Sequence, residues 1–102
     1  MFEGYAEHYN ANARLIILRA LAEQTDYRLN DSLLLQVLNS FAINKGKGFL
    51  RAQLQWLQDE GSCVKIHEIG TAVIAELSAT GLDHVEKRIV VPGVLRPSAV
   101  LS

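Results

Sequence analysis

The chain has 102 residues, 49% of them hydrophobic and 21% charged, with 10 lysines and arginines against 11 aspartates and glutamates. That length closes one hydrophobic core but leaves no room for a catalytic cleft between two lobes, and the composition excludes disorder. No window approaches the roughly twenty apolar residues of a membrane span, and a formal net charge of -1 gives no global field toward nucleic acid, so any such contact must rest on a local patch.

The opening "MFEGYAEHYNANARL" carries acidic residues where a signal peptide would be basic and has no apolar stretch followed by a cleavage site, so a cytoplasmic protein is expected. Residues 1–9 are expected to form an N-terminal extension, with a first helix from about Asn10 to Ala22, rich in alanine, leucine and arginine. Within it Leu15, Ile16, Ile17 and Leu18 follow one another. At about 100° per step, four consecutive residues point around nearly the whole circumference. Either neighbouring helices bury most of this belt, or part of it, with Leu15, Ile16 and Ile17, sits in a dimer interface.

After the polar break "EQTDYRLN", a second helix is expected to start near Asn30, Asp31 and Ser32, any of which can accept from the free amides of the first turn. Leu34, Leu38 and Phe41 recur at core-facing spacing. The segment "AINKGKG" follows, and a third helix is expected from about Lys47 to Glu60, stopped by Gly61 in a left-handed conformation. Leu50, Leu54 and Leu57 share a narrow inward arc, while Lys47, Arg51, Gln55 and Gln58 share another, filled with long donors. Phe49 and Trp56 lie on a stripe beside the leucines, suited either to packing on an earlier helix or to anchoring a partner.

Beyond Gly61 the period changes, and "CVKIHEIGTAVIAEL" reads as a β-hairpin with its tip between Glu68 and Thr71. Cys63, the single cysteine, excludes an internal disulfide and fits a small buried core position. Ser78 offers a cap to a last helix that closes with Lys87 and Arg88. The segment 89–102 holds both prolines and reads as an extended arm, whose Val91, Val94 and Leu95 suggest docking on a partner subunit.

The expected fold is therefore α+β, mainly α: three helices, a two-stranded hairpin, a C-terminal helix and an arm, with residues 10–88 as the folded domain. Helix, helix, helix, hairpin, helix is the order of a winged helix-turn-helix. "FLRAQLQWLQDEGSCVKI" resembles the third helix and first wing strand of that superfamily, and "AELSATGLDHVEKR" resembles the passage from wing to last helix. The whole chain is similar to a family of small ArsR-like proteins of Mu-like phages and prophages. The resemblance implies a protein of the bacterial host cell's cytoplasm, a homodimer that places its third helix in the major groove of double-stranded DNA. The positions matching the reading helix are Lys47, Gly48, Phe49, Arg51, Gln53 and Gln55. Arg51 would suit guanine, Gln53 or Gln55 adenine, Lys45 and Lys47 phosphates, and Lys65 and His67 on the wing a phosphate or minor-groove contact.

The chain departs from that pattern in two places. "KGKG" stands where many relatives have a Ser or Thr cap, and Glu68 in the wing opposes phosphate. Catalysis has little foothold: His8, His67 and His84 share no metal-ligand spacing, Cys63 has no histidine placed to activate it, and no phosphate-binding glycine loop occurs. ArsR-type metal sensing lacks its cysteine pairs, so no cofactor is expected. The function expected is transcriptional regulation; the alternative is a winged-helix adaptor that contacts a phage or host protein in phage assembly, DNA packaging or interference with a host factor.

Overall fold

The computed structural model describes residues 4–97; residues 1–3 of the expected extension and 98–102 of the expected arm lie outside the described residues. Among the described residues the order is α1 (Tyr5–Ala22), β1 (Arg28–Asn30), α2 (Asp31–Ser40), α3 (Lys47–Asp59), β2 (Val64–Ile69), β3 (Ala72–Leu77) and α4 (Ala79–Val85). It is a small α+β domain of four helices and a three-stranded antiparallel sheet in the order β1-β3-β2. None of these helices is long and apolar enough to cross a membrane.

α1 begins at Tyr5, within the stretch read as an extension. The early start has a packing cause: Tyr9 meets Phe49 edge-on at 5.9 Å, so another turn of helix finds a partner on α3. Around α1 lie α2, α3, α4 and β3. They consume the apolar belt: Leu15, Ile17 and Leu18 are fully buried within the chain, and Ile16 is half-buried. Leu15 and Ile17 are therefore core residues, which corrects their assignment to a dimer interface.

α2 is capped as expected, the Asn30 side chain accepting from the Leu33 amide at 2.8 Å. Leu34 and Leu38 are buried, but Phe41 is 63% exposed. Phe41 falls on the C-cap, after which Ala42 takes a left-handed φ of 67° and Ile43 fills the core position instead. α3 buries Leu50, Leu54 and Leu57. It ends without a left-handed glycine: Ser62 adopts the positive φ of 54°, while Gly61 is buried between Trp56 and Cys63, where a side chain would crowd both.

β2 and β3 pair from Val64↔Leu77 to Ile69↔Ala72, so Val64, Ile66, Val73, Ala75 and Leu77 share the face turned to the helices. β1 adds a third strand through Arg28↔Glu76, Leu29↔Ala75 and Asn30↔Ile74. Cys63 is buried, its thiol donating to the Gly61 carbonyl, and burial pushes its pKa up to about 11.

α4 is capped by Ser78, whose Oγ accepts from the Gly81 amide, and ends at Val85, before the expected basic pair. The arm then folds back onto its own domain. Val91 and Val94 are buried in the core and Leu95 packs against it, with the Leu95 amide donating to the Ala11 carbonyl. This corrects the expectation that Val91, Val94 and Leu95 dock on a partner subunit. The clamp is His84, fully buried: its Nδ1 lies 3.0 Å from the Val91 amide and its Nε2 2.9 Å from the Leu95 carbonyl. An amide can only donate, so Nδ1 is the acceptor and the ring proton sits on Nε2, donating to Leu95. Gly93, at φ 92°, lies flat on the Trp56 indole, where a Cβ would collide with the ring, and Arg14 donates to the Gly93 carbonyl at 3.0 Å.

His84→Ala leaves the buried Val91 amide without an acceptor and opens a void, so it should cost about 3 kcal/mol in chemical unfolding and expose the arm to early proteolytic cleavage. Cys63 should resist thiol-labelling reagents at neutral pH in the folded protein and react fully once denaturant is added, as followed by mass spectrometry.

Candidate nucleic-acid interface

The start of α3 gathers exposed basic donors among the described residues. Gly46 occupies the N-cap with extended backbone and supplies no capping side chain. The leading amides are therefore available, and the positive end of the helix dipole points outward. Lys45 is exposed and leans over Tyr9 and Phe49, at 5.6 and 5.9 Å from their ring centres. Lys47 is exposed, its Nζ 4.0 Å from the carboxylate of Asp31.

Arg51 does more than face solvent. Its Nη2 donates to Asp31 Oδ2 at 2.7 Å and to the Thr71 carbonyl, in the hairpin turn, at 3.1 Å. One nitrogen thus joins three elements: the first turn of α2, the second turn of α3 and the β2–β3 hairpin. The side chain remains 45% exposed, and its Nε and Nη1 donors meet no acceptor among the described residues. Asp31 is buried, and the Arg51 hydrogen bond holds its carboxyl below the usual range despite burial, with the Lys47 charge assisting.

The residues carried over from the family pattern separate accordingly. Gln53 is not a surface residue: at 5% exposure it accepts from Arg14 Nε at 2.7 Å and donates to Asn10, tying α3 to α1. This corrects its assignment as a base reader; its position on the wheel, next to the leucine arc, turns it toward α1. Phe49 is half-buried against Tyr9, and Trp56 is half-buried with the Arg14 guanidinium 3.8 Å over its ring, so both aromatics pack within the chain. Gln55 is exposed, and its amide donates to Asp59 one turn later. Gly48 and Ala52 complete the outermost line of α3 with Gln55 and Asp59, and no side chain of any size projects from the first half of that line.

Lys65 and His67 do not join this cluster. They alternate with the inward residues of β2 and lie on the outer face of the sheet, beside Glu76. His67 Nε2 is 2.9 Å from Glu76 Oε1 and Arg28 Nη2 is 3.5 Å from it, and the His67 hydrogen bond lowers the Glu76 carboxyl, with Arg28 and Lys65 adding charge. Arg28 was hidden from sequence reading because its strand was. Asp31 read as a helix cap, and nothing in the spacing shows that it reaches Arg51. His8, His67 and His84 stay apart, on α1, β2 and α4.

The folded pKa of Asp31 lies below its unfolded value near 4. Its contribution to stability is therefore complete above about pH 4 and is lost as pH falls through the lower, folded value. Asp31→Asn should flatten that acid limb in urea titrations. Arg51→Ala, which strands a buried carboxylate, should cost about 2 kcal/mol at neutral pH, and Arg51→Lys less.

No family model matches the chain, and no solved structure matches it. A protein of Escherichia phage Mu, named uncharacterized protein gp26, is 31% identical to it over 84 residues, which cover 82% of this chain and 85% of the Mu protein. Agreement of that extent through most of both lengths is that of common descent, and the chain belongs to the family of the phage Mu protein gp26.

Proposed function

We propose that this chain is a winged-helix protein of a Mu-like phage or prophage that binds double-stranded DNA as a homodimer, offering the N-terminal half of α3 to the major groove and acting as a transcriptional regulator. The observation that carries the reading is the polarity of α3. Lys45, Lys47 and Arg51 gather with the uncapped amides at one end, and Asp59 and Glu60 stand at the other. A helix that reads DNA enters the groove with its N-terminal residues against the bases. The small Gly48 and Ala52 on the outer line would let its backbone come close.

In this reading Lys45 and Lys47 neutralise phosphates. Arg51, held by Asp31 and Thr71 through Nη2, presents Nη1 to a single guanine acceptor with little rotamer freedom left to lose, since both two-donor edges of the guanidinium include the engaged Nη2. Gln55 reads adenine after exchanging its exposed bond to Asp59. Lys65 and His67, on the outer sheet face, are left to backbone contacts flanking the groove. The order α1-β1-α2-α3-β2-β3, with β1 closing the sheet beside β3, supports the winged-helix assignment. The 31% identity to a Mu protein supports the phage setting. A second reading, an adaptor for a phage or host protein, draws on the near-neutral charge and on an apolar groove between α1 and α2 lined by Ile16, Val37 and Phe41.

A salt titration with random duplex DNA separates the two. The parent protein should bind at low salt and weaken steeply as salt rises, and Lys45→Ala with Lys47→Ala should reduce the logarithmic salt slope by about two. No binding at low salt, or binding indifferent to that double change, contradicts the DNA reading.

A further inference from the structure

The core and the arm account for Leu15, Ile17, Val91 and Val94 within one chain, which leaves a different apolar surface open. Along α2, Leu33, Val37 and Phe41 recur every fourth residue on the outer side, with Leu33 44% and Phe41 63% exposed. Beside them runs the outer ridge of α1, formed by Asn12, Ile16, Arg19 and Glu23. Between the two ridges lies a groove of about 600 Å³ whose lining includes Ile16, Arg19, Ala20, Glu23, Val37 and Phe41. A largely exposed phenyl ring that also lines an apolar groove offers a knob next to a hole.

We infer that this groove is the seat of a second copy of the same chain, related by a two-fold axis, with Phe41 of each copy inserted into the groove of the other. A two-fold interface uses one patch twice, so the patch must complement itself, and this one carries both the knob and the hole. Its charges are self-complementary as well. Arg19 and Glu23 are exposed and sit one turn apart on the same ridge, yet neither makes an ion pair among the described residues. A two-fold axis across the groove sets the two α1 helices antiparallel and brings Arg19 of each copy to Glu23 of the other. A foreign partner would have to supply an aromatic knob, an acid and a base in matching positions; a second copy brings all three.

This interface supplies the homodimer that the DNA reading requires, and its test involves no DNA, so the two can fail separately. Sedimentation over a concentration series should show a monomer–dimer equilibrium for the parent protein. Phe41→Ser removes an exposed ring that supports no core, so the protein should stay folded by circular dichroism while dimer affinity falls at least about 30-fold. Arg19→Glu and Glu23→Arg, each alone, put like charges together twice by symmetry and should weaken the dimer about tenfold, whereas the double exchange should restore it. A protein monomeric at every concentration overturns the inference. So does a dimer that ignores Phe41→Ser, or one that the charge exchange does not weaken and restore.

Discussion

A carboxylate buried at the start of α2 organises the side of the molecule that carries the candidate interface. Asp31 is 3% exposed, and a charge in that position is tolerated only with partners at hand. Arg51 and Lys47 come to it from α3, and the same Arg51 nitrogen reaches the hairpin turn at Thr71. The angle between α2 and α3 and the position of the β2–β3 hairpin beside them are thus coupled to one charge-assisted hydrogen bond. The arrangement has an electrostatic consequence. Asp31 offsets part of the positive charge of Lys47 and Arg51, so the cluster is weaker as a field than its residue count suggests, but it is stiffer and better aimed.

Much of the fold is legible in the chain because its signals are local. Asn30 and Ser78 cap helices as their side chains predict, and Leu50, Leu54 and Leu57 face inward as their spacing requires. The alternation from Val64 to Leu77 gives the hairpin. What escapes reading depends on contacts far along the chain. β1 has three residues and a single apolar one, Leu29, so its strand character comes from hydrogen bonding to β3 rather than from any period of its own. Phe41 keeps the spacing of a core residue but falls where the helix stops, and a wheel holds only as far as the helix does. The arm follows the same logic. Its valines announce burial but not the surface that buries them, and His84, which sets that surface, looks from the sequence like an unremarkable residue on a short helix.

The candidate site was legible in part for a related reason. Periodicity distinguishes the inward leucines of α3 from its flanks, and it places Lys47, Arg51 and Gln55 on one flank. It does not distinguish a flank in water from a flank against a neighbouring helix. Gln53 therefore looks available in the sequence, whereas Arg14 and Asn10 occupy it in the fold. Phe49 and Trp56 share its side of the helix and the same fate, packed against Tyr9, Arg14 and Gly93. Three residues on the α1 side of α3 are thus spent on holding the two helices together, and the face left exposed is narrower than the sequence suggests.

Membership of the gp26 family fixes descent, while the proposal of DNA binding rests on the chemistry of α3: donors at its first turns, acids at its last, and little bulk on its outer line between them. The most direct measurement is an amide NMR titration of the folded protein with a short DNA duplex. The account predicts that the largest shifts fall on residues 45–51 and on Thr71, with the α1–α2 groove undisturbed. Shifts concentrated on Ile16, Val37 and Phe41, or none along α3, would contradict it.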